Sequence, residues 1–320
     1  MIVITGAGGF LGSHLADRYL ADGHKVLGVD NWATGSPRNL MLATGSGRFS
    51  FVEMDASGSW EPVRATVAAE KVRIDLVLHF ASPASPVDYA ERPVETLRVN
   101  SQGTWNALRF AIDTGARFLY ASTSETYGDP LVSPQSESYW GNVNPIGVRS
   151  CYDEAKRFGE ALVMAFVRAY AADARIVRIF NTYGPRMRVN DGRVVPNFIA
   201  QALQGYPLTI YGSGDQTRAL CYVDDLVEGI VRCAASERTR GLVVNLGNPD
   251  ERTIREIAAV VSEVAGVSLR TVKSDLPQDD PTRRCPDISR AHELLNWRPL
   301  VDLHDGLRRT IDFFRDALTP

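Results

Sequence analysis

The opening stretch MIVITGAGGFLGSHLADRYLADGHKVLGVD (residues 1–30) decides the fold. A short apolar run, Ile2 to Ile4, leads into Gly6, Gly9 and Gly12, spaced G-x-x-G-x-x-G. The first glycine permits a tight turn, the second lets backbone N–H groups approach a pyrophosphate, and the third lets the next helix lie close on the strand. That helix is expected to begin near Phe10 and to point its positive end at the phosphates. A second strand over 25–30 closes on Asp30, whose carboxylate accepts from ribose hydroxyls and repels a 2′-phosphate. Strand, glycine turn, helix, second strand and acid at these distances predict a dinucleotide site that prefers NAD over NADP. Arg38 is the one nearby cation able to tolerate the extra phosphate.

Outward from this unit, strand-like runs at 49–53, 75–79, 117–121 and 174–179 alternate with helical stretches near 61–70, 92–114 and 150–172. The alternation predicts a Rossmann-like α/β fold, a doubly wound parallel sheet with helices on both faces. Segments following strands, His79-Phe80-Ala81-Ser82 and Ala121 to Glu125, then fall at the carboxyl edge where ligands bind. Beyond residue 180 the alternation breaks into Pro/Gly-rich loops. The expected organisation is a nucleotide-binding domain over 1–180, to which the chain returns near 223–246, and a smaller C-terminal substrate-binding lobe over 181–320. The helices at 92–114 and 150–172 carry apolar residues on more than one face. They are either core helices or, as preferred here, half of a four-helix homodimer interface.

The chemistry is carried by Thr123-Ser124-Glu125 and by Tyr152-Asp153-Glu154-Ala155-Lys156. Tyr and Lys four apart share a helix face. An ammonium held near a phenol favours the phenolate, so the Tyr152 pKa is expected to fall towards neutrality. A Thr hydroxyl on the same substrate oxygen completes a site for taking a proton from a sugar alcohol. Glu125, a carboxylate placed behind a buried strand, is costly to desolvate and reads as functional. Arg218, in YGSGDQTRAL, is open to either a surface or a site role on sequence grounds, and Tyr89 and Tyr127 read as packing residues.

Composition narrows the classes. The chain has 320 residues, 44% of them hydrophobic, and a formal charge of −3, which argues against a general nucleic-acid or membrane-surface binder. No apolar run approaches the roughly 20 residues that span a bilayer. The first strand begins at residue 2, so no leader is expected. The cysteines Cys151, Cys221, Cys233 and Cys285 show no metal spacing and no paired framework, which predicts reduced thiols, no metal and a cytoplasmic location.

Nearly end to end, the chain resembles the extended short-chain dehydrogenase/reductases, and within them the UDP-glucuronate decarboxylases. The resemblance rests on HFASPASPVDY (79–89), ASTSETYGDP (121–130), YWGNVNPIGVRSCYDEAKR (139–157), RIFNTYGPRMRVNDGRVVPNF (178–198) and DDPTRRCPDISRA (279–291). Val87-Asp88 and Arg188 depart from the Pro-His and His expected there. The resemblance implies NAD as a recycled cofactor held by Gly6, Gly9, Phe10, Leu11, Gly12, Asp30, Asn31, Thr34, Gly35, Asp55, Ala56, Phe80, Ala81, Ser82, Asn100, Tyr152 and Lys156. It implies a UDP-sugar substrate at Ser85, Tyr89, Ser124 and Asn181, with Arg186 also among its contacts. Thr123, Tyr152 and Lys156 would oxidise C4, Glu125 would help at C5, Arg218 would lie near the departing carboxylate, and Arg284 would hold the diphosphate. UDP-xylose is the expected product. A 4-epimerase, a 4,6-dehydratase, a decarboxylase releasing the 4-keto-pentose, and a non-catalytic NAD(H) sensor remain as alternatives.

Overall fold

A computed structural model describes residues 1–276, 281 and 283–318. Of the segment 279–291, Asp279, Asp280 and Thr282 lie outside the described residues. The main sheet has seven strands: β1 (Ile2–Thr5), β2 (Val26–Asp30), β3 (Phe49–Glu53), β4 (Leu76–His79), β5 (Arg117–Thr123), β6 (Ala174–Ile179) and β7 (Val243–Leu246). They run in the order β7-β6-β5-β4-β1-β2-β3, every pairing parallel. β1, β2 and β4 are buried along their whole length, as continuous apolar runs covered on both faces must be. β3, at the edge, is only half-buried. The strand order reverses between β1 and β4, which opens a crevice at their carboxyl ends.

Helices α1 (Phe10–Ala21), α2 (Glu61–Glu70), α3 (Thr104–Thr114), α4 (Ser150–Tyr170) and α6 (Val223–Ala235) flank the sheet. α5 (Val194–Leu203), α7 (Ile254–Ala265) and α8 (Leu303–Leu318) build the lobe, where α7 opens on a capping box of Thr253 and Glu256. One continuous set of buried side chains runs from Ile2 and Ile4 through Leu226 and Val244 to Phe314. The strand expected at 242–245 is β7, which lies beside β6. No helix among the described residues is long and apolar enough to cross a membrane.

The helix expected over 92–114 runs without a break from Pro93 to Thr114: Pro93–Arg98 passes through a π-turn over Val99–Gly103 into α3, and a separate short helix, Pro86–Glu91, precedes it. Pro93 sits in the first turn, and Arg92 before it leaves the helical region at φ −130°. The π-turn brings the side chain of Asn100 into the interior, where its Nδ2 donates to Ser82 Oγ at 2.8 Å and to the Thr96 carbonyl at 2.8 Å.

Two glycines of the opening motif are required by space. Gly6 has φ +72°, and a Cβ there would meet the Phe80 and Ala81 backbone at 2.8 Å. A Cβ on Gly12 would stand 2.0 Å from the Gly6 carbonyl oxygen, so α1 can lie this close to β1 only without a side chain. Gly12→Ala is therefore expected to lower stability by about 2–3 kcal/mol, the scale of a forced backbone shift in a packed interior. Thermal melting of the variant checks this, and an unchanged midpoint would show that α1 can slide away without loss.

Candidate active site

The glycine loop forms one end of the cleft. Gly9 caps α1 with no side-chain partner, and Gly6, Gly9, Phe10, Leu11 and Gly12 line the cleft. The free N–H groups of the first turn of α1 therefore suit a diphosphate. Asp30 ends β2 buried, with Gly8 N–H donating to one oxygen at 2.9 Å and Trp32 N–H to the other at 2.8 Å. Burial raises its pKa, against these backbone donors. Arg38 is exposed on the turn Pro37–Leu40, whereas Asn39 lines the cleft and donates to the Gly8 carbonyl at 2.9 Å. These groups fit the diphosphate and ribose of a dinucleotide.

Of the residues expected at the cofactor, Thr34, Phe80, Ser82, Tyr152 and Lys156 also line the cleft, but Asp30, Asn31, Gly35, Asp55, Ala56, Ala81 and Asn100 do not. These seven also help to hold the frame around the cleft. Asn31 accepts from Ala33 N–H at 3.0 Å, and Asp55 accepts from Ser57 N–H at 2.8 Å. The Ala56 carbonyl takes the Trp60 indole N–H at 2.8 Å, and Ala81 N–H donates to Thr5 Oγ1 at 3.2 Å. Gly35 lies so close to the Gly8 backbone that a Cβ would meet it at 2.9 Å. Asn100 acts on the cleft through Ser82, as described above.

Thr123 is the last residue of β5 and the cap of the short turn Ser124–Tyr127, its Oγ1 accepting from Glu125 N–H at 3.2 Å. The turn closes on Gly128 at φ +62°, where a Cβ would meet the Asn142 carbonyl at 1.9 Å. Tyr152 and Lys156 enter from the first turns of α4. The Tyr152 ring stacks on Tyr89 with centroids 5.1 Å apart. Lys156 Nζ donates to the Ala121 carbonyl at 2.9 Å and stands 5.7 Å from the centre of the Tyr152 ring.

The expected fall of the Tyr152 pKa does not occur in the protein alone. Burial pushes the phenol well above its ordinary value, while the Thr123 hydroxyl, as a hydrogen-bonding neighbour, and the Arg193 charge pull the other way. The same burial lowers Lys156 to about 7. Both shifts have one cause: a site closed to water disfavours each charged form.

Glu125 is a carboxylate between two guanidiniums. It takes Arg149 Nη2 at 2.7 Å and pairs on its other oxygen with Arg284. Burial would raise its pKa, but Arg284 and Arg149 outweigh that and hold it at about 2. A group so acidic is a poor proton acceptor while both guanidiniums hold it. Asp153 responds oppositely, pushed up to about 7 by burial and by the Glu125 charge.

The two arginines named from sequence both line the cleft. Arg284 is almost wholly buried, beside Ser124 Oγ at 3.3 Å and the Gly128 carbonyl at 3.1 Å. Arg218 lies on the lobe strand Thr217–Ala219, paired with Glu251–Thr253, and donates to its neighbour's carbonyl at 2.8 Å. What places Arg284 is a set of long-range bonds. Gln135 N–H donates to the Cys285 carbonyl and the Gln135 carbonyl accepts from Asp287 N–H, each at 2.9 Å; its side chain also accepts from Cys285 N–H at 2.9 Å, and Asn245 of β7 donates to the carbonyls of Gln135 and Asp287 at 2.9 and 3.1 Å. No local spacing reveals such an arrangement.

The remaining wall comes from residues 85–91 and 179–193. Ser85, Tyr89, Asn181 and Arg186 line the cleft as expected, Arg186 bonded to Asp17 of α1 at 2.5 Å. Sequence reading missed Arg149, Asp191 and Arg193, which also line it. Arg149 and Arg193 lie in segments already quoted, NPIGVRSCY and NDGRVV, but arginines in loops carry no signal of their own. The four cysteines are buried and unbridged.

Burial of Lys156 makes a stability prediction. An amine with a folded-state pKa near 7, below its ordinary 10.5, lets the protein gain stability as pH rises from about 7 to about 10.5. Lys156→Met in the ligand-free protein is expected to melt higher at pH 6, with the advantage shrinking towards pH 10. The shift corresponds to at most about 5 kcal/mol. A variant that melts lower at pH 6 would mean that the bond to Ala121 outweighs the burial cost.

The profile of the NAD dependent epimerase/dehydratase family matches residues 2–247. A UDP-glucuronic acid decarboxylase 1 from Xenopus tropicalis is 49% identical over 317 residues, 99% of this chain and 72% of that protein. Among solved structures, a UDP-glucose 4-epimerase from Thermotoga maritima superposes with TM-score 0.90 at 28% identity, over 99% of both chains. A UDP-glucuronic acid 4-epimerase from Bacillus cereus, solved with UDP-glucuronic acid and NAD, superposes with TM-score 0.88 at 28% identity, again over 99% of both. The matched profile spans the glycine loop, Thr123, Tyr152, Lys156 and β7, and the chain belongs to the NAD-dependent epimerase/dehydratase family.

Proposed function

We propose that this chain is an NAD-dependent decarboxylase that converts UDP-glucuronate to UDP-xylose. The observation that carries the reading is the buried cluster of Ser124, Glu125, Arg149 and Arg284 beside Thr123 and Tyr152. A 4-epimerase needs an oxidation site at C4 and room for the keto-sugar to turn. A second set of charged groups next to that site serves chemistry at C5. The 49% identity to a decarboxylase against 28% to the epimerases supports the same choice.

When bound, NAD takes a hydride from C4 and later returns it. Tyr152, ionised to the phenolate that protonated Lys156 and Arg193 favour, accepts the proton of the 4-hydroxyl and becomes the neutral phenol. The C4 ketone stands β to the carboxylate, so the C5–carboxylate bond breaks with its electron pair passing into an enolate and CO₂ leaving. Thr123 and Tyr152 donate hydrogen bonds to the enolate oxygen. A proton then replaces CO₂ at C5, and Tyr152 returns its proton to O4. Glu125 stays ionised and fixes Arg284 and Arg149 at the carboxylate end. Arg218, on the lobe wall, is assigned to the diphosphate.

Incubation with UDP-glucuronate and NAD should give equal amounts of CO₂ and UDP-xylose with no net NADH. Formation of the 4-epimer without CO₂ overturns the reading, and stoichiometric NADH indicates release of the 4-keto-pentose. Glu125→Gln should still form NADH on mixing but release CO₂ slower by roughly 10²-fold, the scale of one lost site interaction. Stopped-flow absorbance with CO₂ detection separates the two steps, and CO₂ release at the parent rate would make Glu125 a structural residue.

We also propose that the protein is a homodimer through helices Pro93–Arg98, α3 and α4. Val94, Leu97, Trp105 and Phe158 are 44–69% exposed on these helices, apolar surface that a second copy would cover. The double variant Leu97→Asp/Phe158→Asp is expected to sediment as a monomer where the parent sediments as a dimer. A parent that sediments as a monomer removes this proposal.

A further inference from the structure

Arginines crowd the cleft, yet each of five comes with an acid. Arg149 and Arg284 share Glu125, Arg186 takes Asp17, Arg193 takes Asp191, and Arg188 takes Asp88. The last pair joins the two segments that roof the cleft. Asp88, in helix Pro86–Glu91, is 4% exposed, with one oxygen bonded to Ser85 Oγ at 2.8 Å. Its other oxygen accepts from Arg188 Nη2, while Arg92 stays 4.0 Å from the same atom. Gly192 lets the two segments touch, since a Cβ there would stand 2.7 Å from Val87 Cγ2. Asp88 and Arg188 both line the cleft.

A guanidinium has five N–H donors in a fork that fits a carboxylate. Left without Asp88, Arg188 would have that fork available to the nearest other carboxylate. Decarboxylation turns a charged carboxylate into neutral CO₂, its bonding electrons passing to the C4 ketone oxygen. A cation that grips the carboxylate stabilises the ground state more than the transition state, and so slows the step. On the reading of this protein as a UDP-glucuronate decarboxylase, a loose arginine lining the cleft is a liability.

We propose that Asp88 is a specificity-determining residue that occupies Arg188 in place of the substrate carboxylate, leaving that carboxylate free to depart. Asp88 does for Arg188 what Glu125 does for Arg149 and Arg284. The masking sets how the site treats a uronate: held lightly and decarboxylated, or held firmly and retained. It also makes Asp88 and Arg188, the two sequence departures that meet in space, one functional unit.

The test compares the parent, Asp88→Asn and Asp88→Asn/Arg188→Gln, each with NAD. Asn keeps the size of Asp and can still accept from Ser85, while losing the charge that holds Arg188. Calorimetric titration with UDP-glucuronate and with UDP-glucose reads the preference for a carboxylate independently of turnover. Asp88→Asn should raise that preference about tenfold, the gain of one charge-assisted bond, and slow CO₂ release by a similar factor. KM for UDP-glucuronate should fall together with kcat. The double variant should return both the preference and the CO₂ rate most of the way to the parent values, because the released cation is gone. Melting curves and retained NAD binding verify that the variants fold. Equal weakening of both ligands in Asp88→Asn, an unchanged preference, or no recovery in the double variant would each overturn the proposal and leave the pair as a structural clasp. A parent that releases no CO₂ would instead refute the decarboxylase reading, while the ratio of the two affinities would still test the masking.

Discussion

A carboxylate shut between two guanidiniums, Glu125 against Arg149 and Arg284, is the joint at which three distant stretches of this chain meet. Glu125 follows the end of β5, Arg149 precedes α4, and Arg284 comes from the C-terminal segment. A buried carboxylate with no partner would shed its charge, and either arginine alone would be left uncompensated in a closed site. The three therefore hold one another in place. Because Tyr152 and Lys156 follow Arg149 directly on α4, the same joint fixes the reacting helix against the end of β5. The bonds from Gln135 and Asn245 to residues 285–287 are remote support of this joint, since they seat the segment that carries Arg284.

Charge in the cleft is handled by two opposing devices. At the oxidation site, burial disfavours the ionised forms of both Tyr152 and Lys156, so the pair is poised to move a proton and holds little charge at rest. Around the sugar, arginines are numerous but accompanied by acids, which keeps the wall polar and donor-rich without a strong net attraction for an anion. A site of the first kind alone serves any reaction that begins by oxidising a sugar alcohol. The second kind is where one sugar nucleotide, and one fate for its C5 substituent, can be distinguished from another.

This division matches what the relatives share. Epimerases at 28% identity follow nearly the whole chain path. A common frame can therefore carry different outcomes through the side chains set on it. The π-turn at Val99–Gly103 belongs to the frame: it sits inside the helical run 93–114 and turns Asn100 inward to orient Ser82.

The sequence alone was enough for the sheet, the glycine loop and the Thr123, Tyr152 and Lys156 set. Each of these is a local pattern: apolar runs buried on both faces, glycines where a Cβ has no room, and a four-residue spacing on one helix. Even the strand return near residue 243 was legible as a short apolar run. Arg149 and Arg193 left no trace in the sequence, because an arginine in a loop looks the same whether it meets solvent or a buried carboxylate. Arg218 and Arg284 were recognised as site residues, but nothing local shows that one lies on the strand Thr217–Ala219 and the other against Glu125, or that Asn100 turns inward to Ser82. Only tertiary structure decides such matters, since they depend on contacts between residues up to 160 apart. It also decided the ionisation of the site, where the distance from water, and not the neighbour in sequence, sets whether Tyr152, Lys156 and Glu125 carry charge.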